Sequence, residues 1–335
     1  MEIKISNIAY YLPSEAITNS FLSEEFPEWS AEKIAKKVGI SRRMVAAEDE
    51  SVSDMATRAA QMLFNEIDIP KEKIDYIILC TQSPDYFLPT TACIIQEKLG
   101  LPRSIGAIDF NQGCSGFVYG LSLAKGLLAS GDFKNILLIT AETYSKYIHP
   151  RDKGNRTLFG DAAAAALVSS ESGIASIGRF VLGTDGRGAE NLIVKRGAAK
   201  YPNTTDDSLP EEITSLNFNE NYLFMNGTEI FNFTIDIVPK LISDTLTKND
   251  LSFDDIDLFV FHQANQFMLD HLKKKLKVPN EKFFVFMENC GNTVSSTIPI
   301  ALANAISSGK ITDGNKVLIV GFGVGYSWGA TLLKF

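Results

Sequence analysis

Residues 75–83, DYIILCTQS, and residues 257–265, DLFVFHQAN, read as the same element written twice, about 180 positions apart. Each is a short apolar run that ends in small polar residues, as expected of a buried strand feeding a loop. The likeness continues in order. Residues 120–131, GLSLAKGLLASG, pair with residues 299–309, PIALANAISSG; both read as apolar helices stopped by Ser-Gly. Residues 135–140, NILLIT, then match residues 316–321, KVLIVG, and each half closes on a strand-like run, AAAALV at 163–168 and ATLLKF at 330–335. One such match means little, but a series in register predicts two similar α/β halves, residues 1–172 and 173–335, packed in layers. The polar stretch 186–221 interrupts the second half and reads as a surface excursion or lid over a cleft.

The bulk properties agree with a two-part globular chain. It has 335 residues, 45% of them hydrophobic and 21% charged. A net charge of −8 argues against nucleic-acid binding, which needs a basic footprint. The opening, MEIKISNIAYYLP, reads as a strand rather than a signal peptide, and no run is long enough to span a membrane. Four cysteines, Cys80, Cys93, Cys114 and Cys290, are too scattered for a disulfide framework, and three histidines without CxxC or HExxH do not suggest zinc. A reducing cytoplasm is the expected compartment.

The repeat also locates chemistry. Cys114, in NQGCSGF, stands just before the central helix of the first half, and Asn292, in NCGNTVSS, stands at the matching point of the second. His262 ends the strand whose counterpart ends at Cys80. Two halves related by a two-fold would bring both helix starts, and so all three groups, together. Gly113 and Gly116 allow a sharp turn at Cys114, and a helix N-terminus there favours the thiolate. Each residue also has a plain alternative: a packed thiol, a satisfied core histidine, a turn asparagine. The other three cysteines read as structural, and His149 and His271 as loop and helix-surface residues. GFGVGYSWG at 321–329 is not a dinucleotide loop, because a strand and not a helix follows it. It reads instead as a tight turn that brings backbone N–H groups to the reacting centre.

These residues make the chain resemble the β-ketoacyl-acyl-carrier-protein synthase III family of the thiolase superfamily. The likeness runs through GCSGFVYGLSLA, FGDAAAAALV, HQAN, GNTVSSTIP and the terminal GFGVGYSWGATLLKF. It implies a thiolase-like fold, a homodimer, and a Cys114 acylated from a thioester before decarboxylative condensation with malonyl-carrier protein. His262 and Asn292 are then the decarboxylation and condensation pair, and the N–H groups of Cys114 and Val324 the oxyanion hole. Coenzyme A or phosphopantetheine thioesters are the implied substrates, with acyl- and malonyl-carrier protein as partners, acyl-coenzyme A a possible donor, and no metal or redox cofactor.

By the same resemblance, Leu88 takes the place of an aromatic acyl-pocket gate reaching into the neighbouring subunit. The strand at 106–110 pairs across the dimer axis. Trp29, Lys37, Lys153, Asn265, Lys274 and Lys275 fall at positions that bind the thioester carrier. Lysines stand where the family has arginines, and Phe267 and Asn232 replace basic docking residues. A few extra residues separate Trp29 from Lys37, from which a displaced aromatic platform is expected; together with Lys37 and Lys153 at arginine positions and Leu88 at the gate, this implies a primer other than acetyl-coenzyme A. Two further readings remain: a thiolase-fold acyltransferase passing its acyl group from Cys114 to oxygen or nitrogen, and a silent partner subunit.

Overall fold

The computed structural model describes residues 2–208, 210, 213 and 217–335. The repeat in sequence is a repeat in topology. In the first half the strands lie in the order Lys4–Tyr11, Ala162–Ser169, Asn135–Glu142, Tyr76–Cys80, Gly106–Phe110. In the second the order is Ala175–Ile177, Ser327–Lys334, Lys316–Gly323, Leu258–Phe261, Phe283–Phe284, so each strand has its counterpart. The halves join antiparallel through their first strands, Lys4 opposite Ser176 and Ile5 opposite Ala175. With Val181–Thr184 added beside Ser327–Lys334, this makes one hydrogen-bonded eleven-stranded sheet, whose two halves supply the two sheet layers.

Small details repeat as well. The Asp75 carboxylate accepts from Asn135 N–H at 2.9 Å, and Asp257 accepts from Lys316 N–H at 2.8 Å, so each half clamps the start of its two adjoining parallel strands alike.

The strands are nearly all apolar because both faces are covered, and alternate side chains serve different layers. Ile78, Ile136 and Leu138 of the first half meet Val260, Val317 and Ile319 of the second in one core. That core is filled by the helices Gly116–Ala129 and Thr297–Ser307, through Phe117, Leu121 and Leu128, and Ile298 and Leu302. Largely buried between the sheets, these two helices are apolar over most of their surface. The alternate residues Ile77, Leu79, Leu137 and Ile139 face outward under Val52–Glu66 and Thr91–Leu99. Phe259, Phe261, Leu318 and Val320 face outward under Gly227–Lys248 and Gln266–Leu276. The result is helix, sheet, helix, sheet, helix.

The interruption at 186–221 begins with a short 3-10 turn, Gly186–Asn191, and the strand Leu192–Ile193, which pairs with Phe224–Met225. His149 lies on a loop, as expected, but is buried beneath this segment, its ring edge-on to Tyr222 at 4.7 Å and its Nε2 3.2 Å from the Asp207 carbonyl oxygen. No helix among the described residues is long and apolar enough to cross a membrane.

Candidate active site

The two central helices begin side by side, and the loops leading into them carry Cys114 and Asn292. Both residues, with His262, line one cavity of about 70 Å³ whose floor includes Phe322 and Gly323. All three are buried.

Cys114 is held from behind by the turn between the last two strands. Any side chain on Gly323 would place its Cβ 2.8 Å from Cys114 Cβ and 2.9 Å from Sγ, so only a bare backbone fits there. Ser327 Oγ donates to the Val324 carbonyl oxygen at 2.8 Å and thereby accepts from Ser115 Oγ at 2.7 Å, tying this turn to the cysteine loop. The backbone N–H groups of Cys114 and Val324 point at the sulfur and stabilise its anion.

Burial nevertheless dominates, with a contribution from the Glu142 carboxyl, and pushes the thiol up to about 12. The backbone N–H groups at the helix start act in the direction expected from the sequence, favouring the thiolate, but burial outweighs them and holds the thiol up.

His262 follows the strand Leu258–Phe261, its N–H bonded to the Val320 carbonyl oxygen at 2.8 Å. Its ring stands edge-on to Phe322 at 5.6 Å, and its Nδ1 lies 2.8 Å from Thr297 Oγ1. Burial pulls the imidazole down to about 3, so it is neutral at any working pH. Asn292 is oriented at both ends: its Oδ1 accepts from Val294 N–H at 3.0 Å and its Nδ2 donates to the Ala264 carbonyl oxygen at 3.2 Å. One amide N–H remains for the cavity. The backbone of Asn292 bonds to Leu158 and Gly160, and a Cβ on Gly160 would come within 2.2 Å of the Cys290 carbonyl oxygen, so FGDA is read by backbone approach.

Leu158, Met225, Gly227 and Asn265 line both the inner cavity and a larger outer cleft of about 790 Å³, making a passage from surface to thiol. At the outer cleft Trp29, Lys37, Arg151 and Lys153 come together with Phe267. The Nζ of Lys37 lies 4.7 Å, and that of Lys153 5.7 Å, from the centre of the Trp29 ring. The spacing that suggested a displaced Trp29 does not take the ring out of the cleft: the residues between Trp29 and Lys37 are almost all in the helix Ala31–Val38, which carries Lys37 back over the ring. Lys153 also pairs with Glu28 at 2.7 Å. Pro210 and Ile213, of the segment read as a lid, stand on the rim.

Asn265 caps the helix Gln266–Leu276 by accepting from Met268 N–H at 2.9 Å, which fixes it in the passage. Lys274 and Lys275 lie outside the cleft lining, late on that helix, where Lys275 Nζ donates to the Ile235 carbonyl oxygen at 2.8 Å. Leu88 does not line its own chain's cavity. With Tyr86 and Phe87 it forms an exposed apolar tip, and Leu88 is 82% exposed.

Two groups near the site escaped the sequence reading. Glu142 is fully buried, with Oε2 accepting from Gln82 N–H and Ser83 Oγ and Oε1 accepting from Ser295 Oγ at 2.9 Å. It ties the loop after Cys80 to the asparagine loop. A lone acid closing the otherwise apolar run NILLITAE was its signal. Thr297 gave no signal, since a helix-start threonine is ordinary.

Comparison with known proteins places this geometry. Residues 108–186 match the model of the 3-oxoacyl-[acyl-carrier-protein] synthase III family, and residues 246–335 match the model of that family's C-terminal region. A Clostridium perfringens protein named beta-ketoacyl-[acyl-carrier-protein] synthase III is 38% identical over 99% of this chain and 98% of its own. A crystal structure of a 3-oxoacyl-(acyl-carrier-protein) synthase III, 49% identical, superposes over the whole of both chains with a TM-score of 0.96. The Burkholderia xenovorans 3-oxoacyl-(acyl-carrier protein) synthase, 36% identical, covers 99% of this chain and 94% of that one with a TM-score of 0.91. Similarity sustained at these levels from end to end makes the chain a member of the 3-oxoacyl-[acyl-carrier-protein] synthase III family.

Proposed function

We infer that this chain is a 3-oxoacyl-acyl-carrier-protein synthase of type III, an acyltransferase that condenses an acyl group carried on Cys114 with a malonyl thioester and releases CO₂. The observation that carries the reading is the sharing of one buried cavity by a thiol, a neutral imidazole and an oriented amide.

In the first step the sulfur of Cys114 attacks the thioester carbonyl. The oxygen takes up negative charge beside the N–H groups of Cys114 and Val324, and the carrier thiol departs. Then the malonyl thioester loses CO₂. The enolate oxygen is met by His262 and by the free N–H of Asn292, donors that carry no formal charge and need no reorganisation. The enolate carbon attacks the acyl-cysteine carbonyl, the carbon–sulfur bond breaks, and the departing thiolate takes a proton from water to restore the thiol. Each such donor contributes ~3–4 kcal/mol to the barrier it lowers. A neutral histidine suits this role, since a charged one would have to be desolvated at every turnover.

The carrier arm enters along Leu158 and Met225, with Trp29, Lys37 and Lys153 at the mouth for a coenzyme A or phosphopantetheine donor and Lys274 and Lys275 outside for the carrier protein. The tip at Leu88 and the edge strand Gly106–Phe110, with Ile108 exposed, are read as the contacts of a homodimer in which Leu88 lines the partner's pocket. Incubating the purified protein with an acyl thioester and malonyl-carrier protein should yield the 3-oxoacyl product and CO₂ in equal amounts. Acyl transfer to an oxygen or nitrogen acceptor without loss of CO₂ would overturn it.

A further inference from the structure

A neutral imidazole has one N–H to place, and the enolate step, on which this inference rests, needs it on Nε2. Nδ1 is then a bare acceptor in a buried site and requires a donor. Its neighbour is the hydroxyl of Thr297, 2.8 Å away and itself buried. That hydroxyl has a single proton and two groups that can take it, His262 Nδ1 and the Val294 carbonyl oxygen at 3.0 Å. If the proton goes to Val294, the hydroxyl becomes an acceptor, Nδ1 must carry the hydrogen, and Nε2 offers the enolate a lone pair. If it goes to Nδ1, Nε2 carries the hydrogen and becomes a donor.

The turn between Asn292 and Thr297 is built to hold this choice. Val294, a β-branched residue, is kept at φ 54 and its N–H is bonded to the Asn292 side chain. The same strained turn therefore aims the Asn292 amide and the Thr297 hydroxyl at the reacting centre.

We propose that Thr297 is a positioning residue that selects the Nε2–H tautomer of His262 by donating its hydroxyl proton to Nδ1, and so decides that His262 serves the decarboxylation step as a donor. Thr297 does not touch substrate; it acts through the ring. Its removal leaves the passage, the thiol and the oxyanion N–H groups in place, so the loss falls on the malonyl step rather than on loading.

The test uses the whole protein labelled with 15N at its three histidines. The signals of His262 are assigned by their loss in His262→Asn. An unprotonated Nδ1 with a protonated Nε2 is the expected result, and a protonated Nδ1 overturns the proposal. In parallel, CO₂ release from a malonyl thioester is measured for Thr297→Val and Thr297→Ser. We expect kcat to fall roughly 10–100-fold in the valine protein, the scale seen when a partner orienting a metal-bound imidazole is lost. KM should be little changed, and serine should restore most of the rate. Thr297→Val within twofold of the wild type overturns the proposal, as does failure of serine to rescue. Should the valine protein misfold, the serine variant and the wild-type tautomer still decide. Wild-type protein that does not decarboxylate malonyl thioesters sinks the functional reading instead, and the 15N signals still report on Thr297.

Discussion

Replacing Gly323 by alanine should slow acylation of Cys114 about 10–100-fold while leaving the protein folded. The added Cβ would stand 2.8 Å from Cys114 Cβ and 2.9 Å from Sγ. Ordinary carbon contacts lie at ~3.5–4.0 Å, so the two groups must separate by roughly 0.7 Å or more. The turn cannot retreat, because Ser327 ties it to Ser115, and a Cβ on nearby Gly321 would already lie 2.7 Å from Ser115 Cα. The displacement therefore falls on the Cys114 side chain, and a misplacement of ~1 Å can cost ~100-fold in rate. Overpacking of this kind costs about 1–3 kcal/mol of stability, which a family-sized core tolerates. The assay is the rate of adduct formation by intact-protein mass spectrometry, with thermal unfolding measured alongside. Gly126→Ala is the control, since it lies on the helix Gly116–Ala129 that follows Cys114, with nothing within 4 Å of the new Cβ, and should load normally and gain a little stability. If Gly323→Ala loads within twofold of wild type, the close fit between the turn and the nucleophile is not functionally important and the reasoning fails.

Further expectations follow from the same geometry. His262→Ala should still be acylated at Cys114 yet condense about 100-fold more slowly or worse, checked by single-turnover loading and a malonyl chase. Glu142 should make stability fall with pH between about 6.5 and 8. Burial holds its carboxyl up at about 8, so in that interval the folded state binds a proton that the unfolded state has lost. His262, lowered to about 3, acts with the opposite sign, but its effect is complete above its ordinary value of 6.5. Thermal melts of Glu142→Gln across this range should therefore be flatter than wild type, by at most ~1.4 kcal/mol per pH unit. Glu28→Gln frees Lys153 from its carboxylate partner and should raise kcat/KM for coenzyme A donors severalfold, more than for carrier-protein donors. Light scattering should show a dimer, and Ile108→Lys on the exposed edge strand should weaken it.

The fold was legible because it is stated twice. The runs around Ile77 and Phe259 carry the same apolar pattern, and the structure gives them the same place in each half. What the pattern could not reveal is how the halves join, since the pairing of Lys4 with Ser176 rests on backbone hydrogen bonds that any residues make. The convergence of Cys114, His262 and Asn292 in one cavity was legible for the same reason, as a consequence of two-fold topology. Their protonation was not. The helix start at Cys114 is local and visible in sequence, whereas the burial that outweighs it comes from layers contributed by both halves. The place of Trp29 was not legible from its distance to Lys37 along the chain, because the helix Ala31–Val38 between them decides which way each side chain faces. Thr297 and Glu142 were missed because their contacts, to His262 and Ser295, cross between segments far apart in the chain.

The most direct test is to follow Cys114 itself through one turnover. The protein is loaded with an acyl thioester, the adduct is located by peptide mass spectrometry, and malonyl-carrier protein is then added. The acyl mass should sit on Cys114 alone, be absent from Cys114→Ala, and leave on malonyl addition as a 3-oxoacyl thioester with one CO₂ released per adduct lost. An adduct on Cys80, Cys93 or Cys290 instead, or an acyl group on Cys114 that leaves without carbon–carbon bond formation, would contradict the assignment.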